Sequence, residues 1–417
     1  MTTLLRRALD TTAREALATF PAVVIQGARQ VGKSTFARML VDGQPSRLIT
    51  LDDPSAHSAA RADPTGFVEQ FQSGTLVIDE LQRCPELVLP IKASIDRDRR
   101  PARFLLTGSS NLLRLPRTPD SLAGRAVTVV LNPLSRGELG ESRDGLVSFL
   151  RAQPDVGDFP CTFTRSDYVA AIAQGGYPEV RGLNQRMRNL WFDSYLERLM
   201  DRDLADIAPR VDPGRISTVL RLLAAGQAGE LVKSRIARDA SIPETTVTGY
   251  LDLLETMYLT TRLPSWTPNL TSREVARPKA FVVDSGLSLR LSRVTEQQLL
   301  AVASPHMGAA MEGFVVGELF KQRGWSATEY DLFHYRDRAG LEVDVIVEFY
   351  DGSVMGFEVK SGATFKSEHF AGLRVLRDKL GPRFVGGYVL GTSTTAASFG
   401  DRLWGLPAAA LWQLGSD

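Results

Sequence analysis

The spacing of apolar and polar residues divides the chain into three stretches of different rhythm. In the first, short apolar runs end in glycine, acid or small polar residues: "AVVIQ" (22–26), "TLVID" (75–79) and "FLLTG" (104–108). Amphipathic segments such as "KSTFARMLV" (33–41) separate them, which predicts buried parallel strands alternating with helices. In the middle stretch the apolar positions follow helical spacing, with Leu190, Tyr195, Leu199 and Leu204 marking one face of a long helix. Two shorter helices follow, joined by "SIP" (241–243). The second is expected to bury Val247, Tyr250, Leu251 and Leu254 ahead of a strand at "YLTTRL". The last stretch opens with a helix, "GAAMEGFVVGELFKQRG" (308–324), and changes to period two. Val343, Val345, Val347 and Phe349 alternate along one strand, and Met355, Phe357 and Val359 along the next. Burying both sets on one face makes odd-numbered residues pair with odd. A two-residue turn cannot do that, so the connection should have odd length, such as Asp351–Ser353, or contain a bulge. Asp344, Glu358 and Lys360 then share the opposite face.

The junctions between these elements carry the candidate chemistry. "GARQVGKST" lies between a strand and a helix and reads G-x-x-x-x-G-K-S. Glycines let backbone N–H groups turn inward around phosphates, and the helix N-terminus adds its positive end. Lys33 is expected to reach the outer phosphates and Ser34 to ligate Mg²⁺. The expected nucleotide-binding set is Gly27, Ala28, Gln30, Val31, Gly32, Lys33, Ser34 and Thr35, with Asp79 opposite. The second strand ends in Asp79-Glu80: Asp79 would hold Mg²⁺ through water, and Glu80 would polarise the attacking water.

With "LDDP", "VIDELQRCPEL", "LLTGSSN", "SLAGR", "GGYPE" and "FVVDSGL", the chain resembles a prokaryotic group of AAA-type P-loop ATPases with a nuclease-like C-terminal region. The resemblance implies that Ser109 or Ser110 senses the γ-phosphate. It also implies that Arg125 acts as an arginine finger on a neighbouring copy, and hence a homo-oligomer. A capped turn is the other reading of the serines, and an ion pair within the fold that of Arg125. The "SIP" helices have the rhythm of a winged helix-turn-helix. Their second helix offers Glu244, Thr245, Thr246 and Thr248, while Lys233, Arg235 and Arg238 lie on the first, so phosphate-pairing charge is sparse. The last stretch resembles the PD-(D/E)XK nuclease fold, with Asp344, Glu358 and Lys360 as motif residues and Glu312 as the helix acid. Two carboxylates on adjacent strands suit Mg²⁺ or Mn²⁺. Lys360 offers a compact ammonium that can lower its pKa, which a guanidinium does poorly. Only eight of the 49 basic residues are lysines, yet Lys33 and Lys360 both fall in motifs.

The expected fold class is α/β, with a helical and winged-helix middle. An AAA-type ATPase core spans 1–140, a helical segment 141–210, a winged helix 211–295 and a restriction-endonuclease-like domain 296–417. Composition adds limits. At 417 residues and 43% hydrophobic content, two to four cored domains fit. No apolar run approaches a membrane span, and the N-terminus lacks a secretory apolar core. Two distant cysteines, Cys84 and Cys161, fit a reducing, cytoplasmic setting, and four scattered histidines argue against a histidine metal site. ATP and ADP are the expected ligands, with DNA or RNA as candidate partners and no membrane. Two functions follow: ATP turnover regulating cleavage of nucleic acid, or a nucleotide-switched interaction protein whose nuclease-like domain is inactive.

Overall fold

A computed structural model describes residues 4–109, 122–140, 142, 145–268, 273, 276–337 and 340–415. The chain divides into two compact units. One comprises Met1–Pro133, Tyr177–Glu179 and Leu253–Leu259; the other comprises Leu134–Gly176, Val180–Asp252 and Thr260–Asp417.

The first unit begins with helix α1 (Asp10–Thr19), strand β1 (Ala22–Gln26), helix α2 (Lys33–Val41) and strand β2 (Ser46–Thr50). It continues through β3 (Thr75–Asp79), α3 (Val88–Arg97), β4 (Phe104–Gly108) and β5 (Ala126–Val130). The sheet is parallel, in the order β2-β3-β4-β1-β5. The three apolar runs are its inner strands and every residue in them is buried; the less buried "SRLIT" and "AVTVV" form the edges. Val24, Ile78 and Leu106 pack with Ile91 and Ile95 of α3 in one core. Because β4 lies between β1 and β3, three strand ends gather at the carboxyl edge of the sheet.

The second unit contains α4 (Arg165–Gln174), α5 (Gln185–Arg198), α6 (Pro213–Ala225), α7 (Lys233–Ala240) and the greater part of α8 (Glu244–Thr256), whose last residues belong to the first unit. A π-helical turn, Leu199–Asp203, follows α5 and accounts for the five-residue step from Leu199 to Leu204, both of which are buried. Leu190, expected on the same face, is exposed; Phe192 and Tyr195 take the inward positions, at the three- and four-residue steps of an α-helix. Helices α7 and α8 are joined through Ser241 in left-handed conformation (φ 54°). The expected strand after α8 is β6 (Thr260–Leu263), antiparallel to β7 (Lys279–Val282).

Then come α9 (Ser285–Ser292), α10 (Met307–Arg323), β8 (Tyr330–Arg336), β9 (Glu342–Phe349) and β10 (Val354–Val359). Helix α11 (Ala371–Leu380) and strands β11 (Phe384–Gly391), β12 (Ala397–Ser398) and β13 (Leu403–Pro407) complete a mixed sheet, β12-β13-β11-β10-β9-β8. The β9–β10 connection is three residues long: Phe349 N–H donates to Ser353 O at 2.9 Å, and Val347 pairs with Met355. Odd residues therefore pair with odd. Helix α10 brings Met311, Phe314 and Val315 against Val345, Val347 and Phe357 on one face. Helix α11 brings Leu373 and Leu376 against Ile346 and Val354 on the other. Both faces of the sheet are thus covered, and the polar face expected from alternation is not a solvated one. Val343 departs from the odd set and joins Ile346, because His334 of β8 stands opposite two residues of β9, Asp344 and Val345, in a β-bulge.

Among the described residues no helix is long and apolar enough to cross a membrane. Cys84 and Cys161 are buried and free.

Candidate functional sites

In the first unit the loop between β1 and α2 is shaped by backbone that side chains tolerate poorly. Gly27 has φ 150°, and a Cβ placed there would lie 2.1 Å from Leu131 O. Gly32, at φ 94°, caps α2. The buried Lys33 folds back over the loop, donating to Ala28 O at 2.8 Å and Gly27 O at 3.1 Å. Ser34 Oγ donates to Asp79 Oδ1 at 2.8 Å, so the expected Mg²⁺ pair is already adjacent across the β1 and β3 ends. Thr107, at the end of β4, completes the group. Its hydroxyl donates to Asp79 Oδ1 at 2.5 Å and accepts the Glu80 N–H at 3.1 Å. A loop whose glycines leave room for an anion, with a lysine and a hydroxyl–carboxylate pair at its mouth, fits a Mg²⁺–nucleoside triphosphate.

Glu80 adopts a left-handed conformation (φ 60°), uncommon for a side chain of its size, which turns the carboxylate away from β3. There it meets Gln82 Nε2, which also donates to Ser109 Oγ at 2.8 Å, while Ser109 Oγ lies 3.3 Å from Glu80 Oε2. Glu80, Gln82 and Ser109 thus form one polar cluster beside the loop. Ser110 lies outside the described residues. Arg125 is held bidentately by Asp96, Nε to Oδ1 at 2.6 Å and Nη2 to Oδ2 at 3.0 Å. The hydrogen-bonded pair raises the arginine pKa and lowers that of Asp96. Thr107 and Gln82 escaped the sequence reading, although "TGS" after a buried strand placed a hydroxyl at the sheet's carboxyl edge.

In the second unit the register brings Asp344 to Glu358, one step beyond the paired Val345 and Phe357. Asp344 Oδ2 accepts the Val359 N–H at 2.8 Å, and Glu358 Oε1 accepts from Lys360 Nζ at 2.6 Å. Burial pushes Glu358 up, and the Asp344 carboxylate adds to the effect. Burial works against the Lys360 ammonium, but Glu358, Asp344 and Glu312 outweigh it and hold its pKa above the ordinary lysine value. The neighbouring carboxylates thus oppose the pKa lowering of which an ammonium is capable. Glu312 of α10 reaches the same region, joined there by Glu342 and by Lys279 of β7, neither singled out from sequence. Lys279 Nζ lies 2.7 Å from Glu312 and 2.6 Å from Glu342. Among the described residues no group of three or more His, Cys, Asp or Glu side chains is arranged to hold a metal ion.

Residues 19–140 match the family described as AAA domain. Within the first unit, this stretch is therefore similar to AAA-type P-loop domains. Downstream of the AAA domain, residues 165–298 and 307–411 match two families described as domains of unknown function, DUF8612 and DUF4143. Uncharacterised proteins of Mycobacterium tuberculosis and Mycobacterium bovis are each 29% identical over 351 residues, covering 84% of this chain and 73% of theirs. Among solved structures, a Walker-type ATPase of Pyrococcus abyssi is 17% identical, covering 69% of this chain and 95% of that one, with a TM-score of 0.44. A RuvB variant of Thermotoga maritima is 14% identical, covering 65% and 94%, with a TM-score of 0.30.

Proposed function

We propose that this protein binds and hydrolyses ATP at the β1–α2 loop and uses the nucleotide state as a switch. The observation that carries the reading is the chain of hydrogen bonds from Ser34 through Asp79 to Thr107, set beside the Glu80 cluster. Mg²⁺, when bound with nucleotide, would neutralise phosphate charge. Ser34 and Asp79 would hold it, Lys33 would exchange its carbonyl partners for phosphate oxygens, and Glu80 would accept the proton of the attacking water. Gln82 and Ser109 hold the Glu80 carboxylate in place.

A relay for the switch has its own support. Tyr258 Oη donates to Gln26 Oε1 at 2.7 Å, one residue before Gly27. Two residues after Tyr258 the chain enters β6, the partner of β7. The same segment, with α7 and α8, is read as a winged helix.

In a second reading the last sheet is nuclease-like and acts on nucleic acid; it is favoured by the placement of Asp344, Glu358 and Lys360. The test of the main reading is nucleotide titration together with phosphate release. Lys33→Ala is expected to weaken ATP binding about 10- to 100-fold, the loss of a charged hydrogen bond of about 1.5–3 kcal/mol. Glu80→Gln should bind ATP normally and turn it over about 10²–10⁴-fold more slowly. Unchanged phosphate release in both variants would reject the hydrolytic site.

A further inference from the structure

The carboxylates of the second unit face a cation that the chain itself supplies. Lys279 opens β7, and its side chain is 2% exposed. Its Nζ lies 2.7 Å from Glu312 Oε1, 2.6 Å from Glu342 Oε1 and 3.6 Å from Asp344 Oδ1. Carboxylates from α10 and from both sides of the Val343 position in β9 therefore converge on one ammonium. A divalent ion would need such lone pairs at about 2.0–2.6 Å, in the same space. The neighbouring oxygens are also engaged: Asp344 Oδ2 by the Val359 N–H, and Glu358 Oε1 by Lys360. A second cation driven into this group would be repelled by the buried Lys279 ammonium and by the partly exposed one of Lys360.

We infer that Lys279 is the resident cation of this carboxylate site and that, while it is in place, Asp344 and Glu358 take up no divalent metal. The residues present thus do not fit the metal that the nuclease reading requires. This inference stands apart from the ATP reading, because it concerns the other unit and would survive a failure to hydrolyse ATP. The choice of lysine at position 279 supports the assignment. A compact ammonium donates in three directions and suits carboxylates arriving from different elements, whereas a planar guanidinium presents a flat fork.

The experiment is Mn²⁺ uptake by the full chain without nucleotide, read from loss of the free-ion electron paramagnetic resonance signal. The wild type, Lys279→Met, and each combined with Asp344→Asn are compared. The wild type is expected to show no uptake that Asp344→Asn removes, and Lys279→Met to gain about one equivalent that it does remove. Asp344-dependent uptake by the wild type would overturn the inference, as would a folded Lys279→Met variant that gains none. Should Lys279→Met not fold, Lys279→Met/Glu312→Gln deletes one charge of each sign and is expected to restore the folded circular dichroism spectrum. A double variant that stays unfolded would reject the resident-cation role.

Discussion

Lys33, Lys279, Lys321 and Lys360 are half of the chain's eight lysines, and each ends among carboxylates or backbone carbonyls. Lys321 bonds Glu318 at 2.7 Å and Leu134 O at 3.1 Å. At these four positions, in a chain that otherwise favours arginine, lysine sits where a point charge is surrounded. That signal pointed to residues 33 and 360. It was equally present at 279 and 321, but no known motif framed it there. Thr107 is the clearest residue-scale test of the proposed ATP site. Thr107→Val keeps the shape and removes the hydroxyl that serves Asp79 and Glu80 N–H. We expect a loss of about 1–3 kcal/mol in stability by chemical denaturation, because a buried donor and acceptor lose their partner. Phosphate release should fall with it, and an unchanged rate would relieve Thr107 of any role in the site.

Among elements, the β9–β10 hairpin shows how much the sequence could say. Alternation gave its odd pairing, and the connection of Tyr350, Asp351 and Gly352 obeys it. Alternation could not give the bulge at Asp344, since the departure of Val343 from its set depends on β8, a partner the hairpin's own pattern does not contain. Nor could it show that α11 covers the second face. The turn is fastened by Asp351, whose carboxylate accepts from Ser353 Oγ at 2.6 Å, Ser353 N at 3.0 Å and Arg151 Nη2 at 2.6 Å. The Ser353 bonds, with Arg151, lower its pKa to about 2. A depressed carboxylate stabilises the fold above its unfolded value near 4, and the contribution disappears as pH falls through about 2. Asp351→Asn should therefore lower stability at neutral pH modestly, the carboxylate being exposed, and flatten the acid limb between about pH 4 and 2. Urea melts across that range would show it; an unaltered limb would assign the acid loss to other groups. The motifs "GGYPE" and "FVVDSGL", far apart in sequence, are likewise one joint. Asp284 caps α9 through the Leu287 N–H at 2.8 Å and accepts the Gly176 N–H at 2.6 Å. A Cβ at Gly175 would lie 2.4 Å from Asp284 Oδ1. Neither motif revealed the other from sequence, because each is only half of the contact.

At the scale of the whole molecule two questions are open to direct trial. If Arg125 acts on a neighbouring copy, turnover per chain should rise with protein concentration, and Arg125→Ala should lower it about 10³–10⁵-fold. Asp96→Ala frees the guanidinium and should not lower turnover. Equal losses in the two variants would make the pair structural. The second trial is cleavage of single- and double-stranded DNA and RNA with Mg²⁺ or Mn²⁺, with and without ATP. With Lys279 seated among the acids, we expect no products. Products that vanish in Asp344→Ala/Lys360→Ala would restore the nuclease reading. The two native cysteines bear on how the proposed switch can be watched. Both are buried, and burial together with Glu86 lifts the Cys84 thiol to about 11, so at neutral pH it offers almost no reactive thiolate. A cysteine introduced on the surface of each unit should therefore label selectively in the native chain, making the protein its own ruler for whether ATP changes the distance between its units.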